Sequence, residues 1–474
     1  MKVLFAASEA YPFFASGGLG DVAGSLPVAI RKRKVGIRVV LPLYGDMKPE
    51  WRERLKYITN FTVPVGWRSQ YCGLFELTLQ GVTYYFLDNE YYFKRQGLYG
   101  FYDDGERFAF FSRAILEALF HVNFVPDIIH CNDWQTALVP VYLNLYYRHI
   151  EKYAAVKTIF TIHNIQYQGK FGPEILEETI GVGRKDAHLL EYDGCINFMK
   201  GAIECADKVS TVSPTYAEEI LDPWFGHGLD DFLRKKQYKL CGIVNGIDTE
   251  VYNPETDPYI AARYTAEDFE KGKAACKKDL RETFGLEEDG SPVMGMVTRL
   301  VSHKGLDLVR HVADSLVAGG MQMVILGSGE YTYENFFQEL AARYPGRFGL
   351  RIGFIPELAR KIYAGADMFL MPSKSEPCGL AQMVALRYGT VPIVRETGGL
   401  KDTIHDSGDG TGNGFTFASY NAYDMQNACV RAKEGYEKPA GWRVLVKRGM
   451  ECDFSWGSSA RQYTSMYTEV AALW

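Results

Sequence analysis

Several short segments of the 474-residue chain carry side chains able to do chemistry. Arg299 and Lys304 lie close together in Val297-Thr-Arg-Leu-Val-Ser-His-Lys-Gly305, directly after an apolar run of strand length. A planar guanidinium fork and a compact ammonium both suit phosphate oxygens. A reaction that expels a nucleoside diphosphate needs such groups, because negative charge builds on the leaving oxygen. The plain alternative is a pair of solvated surface cations. Ser375-Glu376-Pro377-Cys378-Gly379-Leu380-Ala381-Gln382 follows another apolar run. Glu376 could bond sugar hydroxyls or stabilise cationic character at an anomeric carbon; otherwise it caps the next helix. In Ser16-Gly17-Gly18-Leu19-Gly20-Asp21 the glycines let backbone amides reach a phosphate at a helix N-terminus. The spacing is neither the dinucleotide fingerprint nor a Walker loop, so a tight turn competes.

Two polar clusters, His130-Cys-Asn-Asp133-Trp134 and Thr161-Ile-His163-Asn164, each close a buried-looking run. Asp133 could orient a hydroxyl and Trp134 could offer a face to a sugar ring, whereas either His reads equally as a structural, hydrogen-bonded residue. Aromatic residues from Tyr91 through Tyr99, Phe101 and Tyr102 are interleaved with Arg95, Asp103, Asp104 and Arg107. That mixture can bind carbohydrate, but Phe108 to Phe111 read as core.

These segments need strands to aim them. Continuous apolar runs at residues 3–7, 37–42, 83–87, 127–130 and 158–162 fill the first half; 293–297, 321–326, 350–354, 368–371 and 390–394 fill the second. Such runs suit parallel strands buried on both faces, with helices between them. The expected fold is therefore α/β, with two Rossmann-like, doubly wound parallel-sheet domains facing a central cleft. The boundary is expected near Gly242-Ile-Val-Asn-Gly-Ile-Asp248. This gives residues 1–242 as the first domain, 243–453 as the second, and 454–474 as a segment packing back on the first.

Composition narrows the partners. A formal charge of −6 lacks the basic footprint of a nucleic-acid binder. Nine scattered cysteines without a CxxC pair suit free thiols in a reducing compartment. The N-terminus lacks a signal-peptide core, and no stretch reaches the roughly 18 apolar residues of a membrane span. A cytoplasmic protein without membrane or nucleic-acid partners is expected.

Together the segments resemble the family of bacterial glycogen synthases and plant starch synthases, which have the two-domain GT-B glycosyltransferase fold. The likeness runs through SEAYPF-x-x-x-GGLGDVAGSLP, CNDWQTAL, TIHNIQYQG, VNGID, TRL-x-x-HKGLDL, EPCGL-x-Q, RETGGLKDT, Gly412–Phe417 and Phe454-Ser-Trp456. The resemblance implies retaining transfer of glucose, usually from ADP-glucose, to the 4-hydroxyl at the non-reducing end of an α-1,4-glucan. It implies that Arg299 and Lys304 hold the diphosphate, Glu376 contacts the donor sugar, and His163 bonds a hydroxyl of the reacting glucose. Gly18, Asp21, Asn245, Phe354, Cys378, Gly379 and Leu380 would bind the donor, with Phe354 covering the base. Glu9, Asp133, Trp134 and Asn164 would line the acceptor side. Neither metal nor cofactor is implied. Two positions depart from the family pattern: Ala15 stands where Lys is usual, and Ala381 where Thr or Ser is usual. A lost charged hydrogen bond is worth on the order of 1.5–3 kcal/mol, enough to weaken donor binding or alter the choice between ADP-glucose and UDP-glucose. A glucan-binding homologue without catalysis is the reading from a different class.

Overall fold

The structure, a computed structural model, describes residues 1–473 and divides into two compact units. Unit 1 is Met1–Gly246 with the C-terminal segment from Trp456; unit 2 is Ile247–Ser455.

Unit 1 is built on β1 (Lys2–Ala6), β2 (Gly36–Pro42), β3 (Lys56–Val65), β4 (Arg68–Leu79), β5 (Val82–Asp88), β6 (Ile128–Asn132) and β7 (Lys157–Ile162). A separate small sheet holds β8 (Lys170–Phe171), β9 (Glu191–Tyr192) and β10 (Cys195–Asn197); β11 (Lys208–Thr211) and β12 (Leu240–Gly242) return to the main one. The main sheet has the order β12-β11-β7-β6-β1-β2-β5-β4-β3. β1 and β6 are buried almost throughout, as an interior parallel strand requires. The sheet is parallel except at one edge, where β4 pairs antiparallel with both β3 and β5. That hairpin mixes exposed, half-buried and buried residues instead of forming a continuous apolar run.

The helix Gly18–Lys32 buries Leu19, Val22, Ala23, Leu26 and Ile30, the one-sided stripe of a helix lying on a sheet. The C-terminal helix Trp456–Ala471 packs against it, burying Trp456, Ala460, Tyr463, Tyr467 and Val470. Its Tyr467 hydroxyl lies 2.8 Å from His130 Nδ1 on β6.

Unit 2 contains β13 (Val293–Val297), β14 (Gln322–Gly327), β15 (Phe348–Ile352), β16 (Met368–Met371), β17 (Val391–Arg395) and β18 (Phe415–Phe417). They form a wholly parallel sheet in the order β15-β14-β13-β16-β17-β18. Strand order reverses at β13, and the loops after β13, β15 and β16 leave the same edge, where open α/β sheets bind ligands. β15 ends at Ile352, so Phe354, expected inside it, lies beyond the strand and is 90% exposed. Among the described residues, no helix is long and apolar enough to cross a membrane.

Candidate active site

In unit 2 the turn Ser302–Lys304 follows β13, and the segment 372–380 follows β16. Two backbone features press these loops together. The amide of Lys374 donates to His303 O at 2.9 Å. Gly305, at φ +75°, lies so close to Pro372 that a Cβ would come within 2.0 Å of its carbonyl oxygen. Only glycine allows both that approach and that conformation. Lys304 Nζ thereby reaches Glu376 Oε2 at 2.7 Å, and Ser373 Oγ donates to the same oxygen at 2.9 Å.

Burial pushes the Glu376 carboxyl up, but the Lys304 charge, the bonds from Lys304 and Ser373, and His303 outweigh it. The net value lies below the ordinary 4.5, so the group is ionised. Arg299 is exposed on the same loop, and with burial and Lys304 it lowers His303. Beyond β16, Cys378 is buried, and Gln382 Nε2 ties down the carbonyls of Cys378 and Gly379 at 3.1 and 3.0 Å. The amides of Gly379 and Leu380 donate to no acceptor among the described residues, so they remain available to an anion.

In unit 1 the ends of β6 and β7 interlock. Asn132 Nδ2 donates to Ala6 O at 3.0 Å, which turns Oδ1 toward His163 Nε2 at 2.8 Å. Burial drives the His163 imidazole down to about 3, so it is neutral, with Nε2–H donated to Asn132 and Nδ1 left as an acceptor. Asp133 has φ +56°, outside the usual range for a residue with a Cβ, and its Oδ1 accepts from the His163 amide at 2.8 Å. Burial pushes its carboxyl up to about 7. Asn164 Oδ1 closes a turn with the Gln166 amide at 3.0 Å.

Around the glycine-rich loop, Glu9 has both oxygens engaged by the protein. It accepts from Ser16 N and Oγ at 2.9 and 2.6 Å, from Gly20 N at 3.0 Å, and from the Tyr99 hydroxyl at 3.1 Å. Gly18 is exposed as the first residue of its helix, and its amide has no acceptor among the described residues. Asp21 is exposed in the same first turn. Asn245 is buried with Oδ1 unbonded.

The structure thus groups Arg299, Lys304, Glu376, Cys378, Gly379 and Leu380 on neighbouring loops of unit 2. In unit 1 it groups Glu9, Gly18 and Asp21 around one loop, and Asp133, His163 and Asn164 around another. Trp134 is half-buried: Phe108, Phe171 and Phe198 pack on its ring at 5.1–6.1 Å, and Gly169 closes on the indole. His130 is a core residue, fully buried and bonded to Tyr467 and Thr161. Sequence reasoning did not single out Ser373, Asn132 or Tyr99 as bonding partners of the acidic and imidazole groups. The one available signal was their position beside the motifs. Among the described residues, no cluster of three or more His, Cys, Asp or Glu side chains is placed to hold a metal ion.

Two α/β units, with cations and an ionised carboxylate at the strand ends of the second, are the arrangement of a GT-B glycosyltransferase, and the comparisons with known proteins agree. Residues 2–235 match the family described as starch synthase catalytic domain, and residues 278–443 that described as glycosyl transferases group 1. Glycogen synthases of Geobacillus thermodenitrificans (strain NG80-2) and Geobacillus stearothermophilus are each 51% identical, over 99% of this chain and 98% of theirs. The catalytic domain of starch synthase IV from Arabidopsis thaliana, solved bound to ADP and acarbose, matches with a TM-score of 0.90 and 36% identity, covering 99% of each chain. Sucrose-phosphate synthase from Thermosynechococcus elongatus shares the fold, with a TM-score of 0.60 and 17% identity over 99% of each chain. The chain belongs to the glycogen and starch synthase family of glycosyltransferases.

Proposed function

We propose that the chain transfers glucose, with retention of configuration, from ADP-glucose to the 4-hydroxyl at the non-reducing end of an α-1,4-glucan. The observation that carries this reading is the Lys304–Glu376 pair, with Arg299 on the same loop as Lys304. An anionic leaving group needs the cations, and a sugar needs the acceptor. As the bond from the anomeric carbon to the diphosphate lengthens, charge collects on the departing oxygens, and Lys304 and Arg299 stabilise it most at that point. These cations supply the electrostatic help that a metal ion gives elsewhere. The open amides of Gly18, Gly379 and Leu380 add fixed dipoles toward the phosphates. Phe354, almost fully exposed, covers the base.

Glu376 takes a hydroxyl of the donor glucose, and Cys378 helps to shape the loop around it. Asp21 and Asn245 contact the nucleotide-sugar. His163, neutral, accepts a hydrogen bond from the reacting glucose at Nδ1. Asn164 lines the acceptor side, while Glu9, Asp133 and Trp134 serve that side by holding its loops in place. The relatives named glycogen synthase support the glucan as acceptor, and the neighbour solved with ADP and acarbose supports the donor class. We place the reaction in the cytoplasm, in keeping with nine cysteines that are all free thiols.

UDP-glucose is the second reading of the donor, because Ala15 and Ala381 leave fewer polar groups near the phosphates than the family pattern has. Turnover on glycogen with the two donors side by side tests both. Faster turnover with ADP-glucose is expected, and the reverse order would transfer the assignment to UDP-glucose. Glycogen binding without turnover of either donor would instead make the chain a non-catalytic glucan binder.

A further inference from the structure

Glu376 has two carboxylate oxygens, and among the described residues only one of them is bonded. Lys304 Nζ and Ser373 Oγ converge on Oε2 at 2.7 and 2.9 Å. Oε1 accepts from no described residue, and it is not among the enclosed polar atoms that lack a partner. A carboxylate filled on one side and open on the other is aimed: a hydroxyl approaching it meets Oε1.

We propose that Ser373 is a positioning residue that fixes which oxygen of Glu376 faces the donor sugar; this rests on the donor reading above. Lys304 cannot hold the carboxylate alone. Its ammonium rides on a flexible four-carbon stem, and it is the group that the incoming diphosphate attracts. Once Lys304 is shared with phosphate oxygens, Ser373 is the donor that stays on Oε2. Ser373 suits this task because it is 2% exposed and sits on the segment leaving β16, three residues before Glu376.

The main chain of Glu376 is held independently. Gly399 N donates to its carbonyl at 3.2 Å, and a Cβ on Gly398 would lie 1.9 Å from the same oxygen. With the backbone fixed, the remaining freedom is in the side-chain torsions, and the Ser373 hydroxyl removes it. This gives the Arg395-Glu-Thr-Gly-Gly-Leu400 segment a part in the site as well: it anchors the backbone while Ser373 orients the carboxylate.

The test uses the intact chain and compares ADP with ADP-glucose. ADP carries the phosphates but no sugar, so it does not report on Oε1. Ser373→Ala should bind ADP within about twofold of the unaltered protein, yet bind ADP-glucose about tenfold more weakly, the scale of one hydrogen bond to a charged group. In a Glu376→Gln background the same change should cost less than about twofold, because the two residues act as one unit. Ser373→Cys, which keeps the side-chain volume and a weak donor, should show the same split in smaller measure and serves if Ser373→Ala folds poorly. Equal weakening for ADP and ADP-glucose, or equal losses in both backgrounds, would overturn the assignment while leaving the donor reading intact. Unaltered protein that binds neither ADP nor ADP-glucose would overturn the donor reading, and this assignment with it.

Discussion

Lys304 and Glu376 lie 72 residues apart in sequence, yet they form one electrostatic unit. The Glu376 carboxyl is held below 4.5 because the Lys304 charge, with the Ser373 and His303 contributions, overcomes the penalty of burial. The linkage has a definite sign. A carboxyl whose folded value is depressed stabilises the fold above its unfolded value, and that contribution is lost as pH falls through the lower folded value. Lys304→Ala removes the main compensating charge and leaves burial to raise Glu376. The variant should therefore be less stable than the unaltered chain at pH 7, by about 2 kcal/mol, the scale of a lost hydrogen bond to a charged group. The gap should begin to narrow above pH 4.5, where the raised Glu376 of the variant takes up its proton, while the unaltered chain, whose carboxyl is held below 4.5, stays ionised to lower pH. Thermal denaturation of the pair from pH 7 to pH 4 measures this, and a gap that stays constant across that range would contradict it.

At the scale of elements, the positions of the reactive groups depend on where loops can touch. Gly398, at φ +44°, begins the short helix Gly398–Thr403, and its missing side chain leaves room for the Glu376 carbonyl. Gly398→Ala adds both a steric conflict and a left-handed backbone that alanine resists. Turnover should drop at least about tenfold through displacement of Glu376, with the sheet of unit 2 retained by circular dichroism; unchanged turnover would show that this segment has no bearing on the glutamate.

The same scale explains what the sequence could and could not disclose. The interior strands were legible because parallel strands covered on both faces are mostly apolar and buried nearly end to end, as β1, β6 and β14 are. The β3–β4 hairpin was not, since its mixed, half-exposed residues resemble loop as much as strand. Motif residues were visible as types at strand ends. Their partners were not: whether Glu9 meets a ligand or the Ser16–Gly20 loop, or whether Trp134 meets a sugar or Phe108, depends on tertiary contacts that leave no local pattern. His130 and His163 illustrate the limit, for both sit in a polar cluster of similar type, yet one lies inside β6 and is bonded into the core, and the other follows β7 and keeps a ring nitrogen open.

For the whole molecule, the polar groups are divided by chemistry. Unit 2 carries the cations, the ionised glutamate and the exposed Phe354, a set matched to an anionic nucleotide-sugar. Unit 1 carries the neutral His163, the elevated Asp133 and the helix-start amide of Gly18, a set matched to hydroxyls and phosphate edges. The proposed reaction needs both sets, but its rate depends most on the charge that develops on the leaving diphosphate. The direct test is the turnover number of Arg299→Ala and Lys304→Ala with saturating ADP-glucose and glycogen. Each should fall on the order of 100-fold in kcat, with a smaller change in KM, since the interaction strengthens toward the transition state. Near-unaltered kcat in both variants would contradict the account.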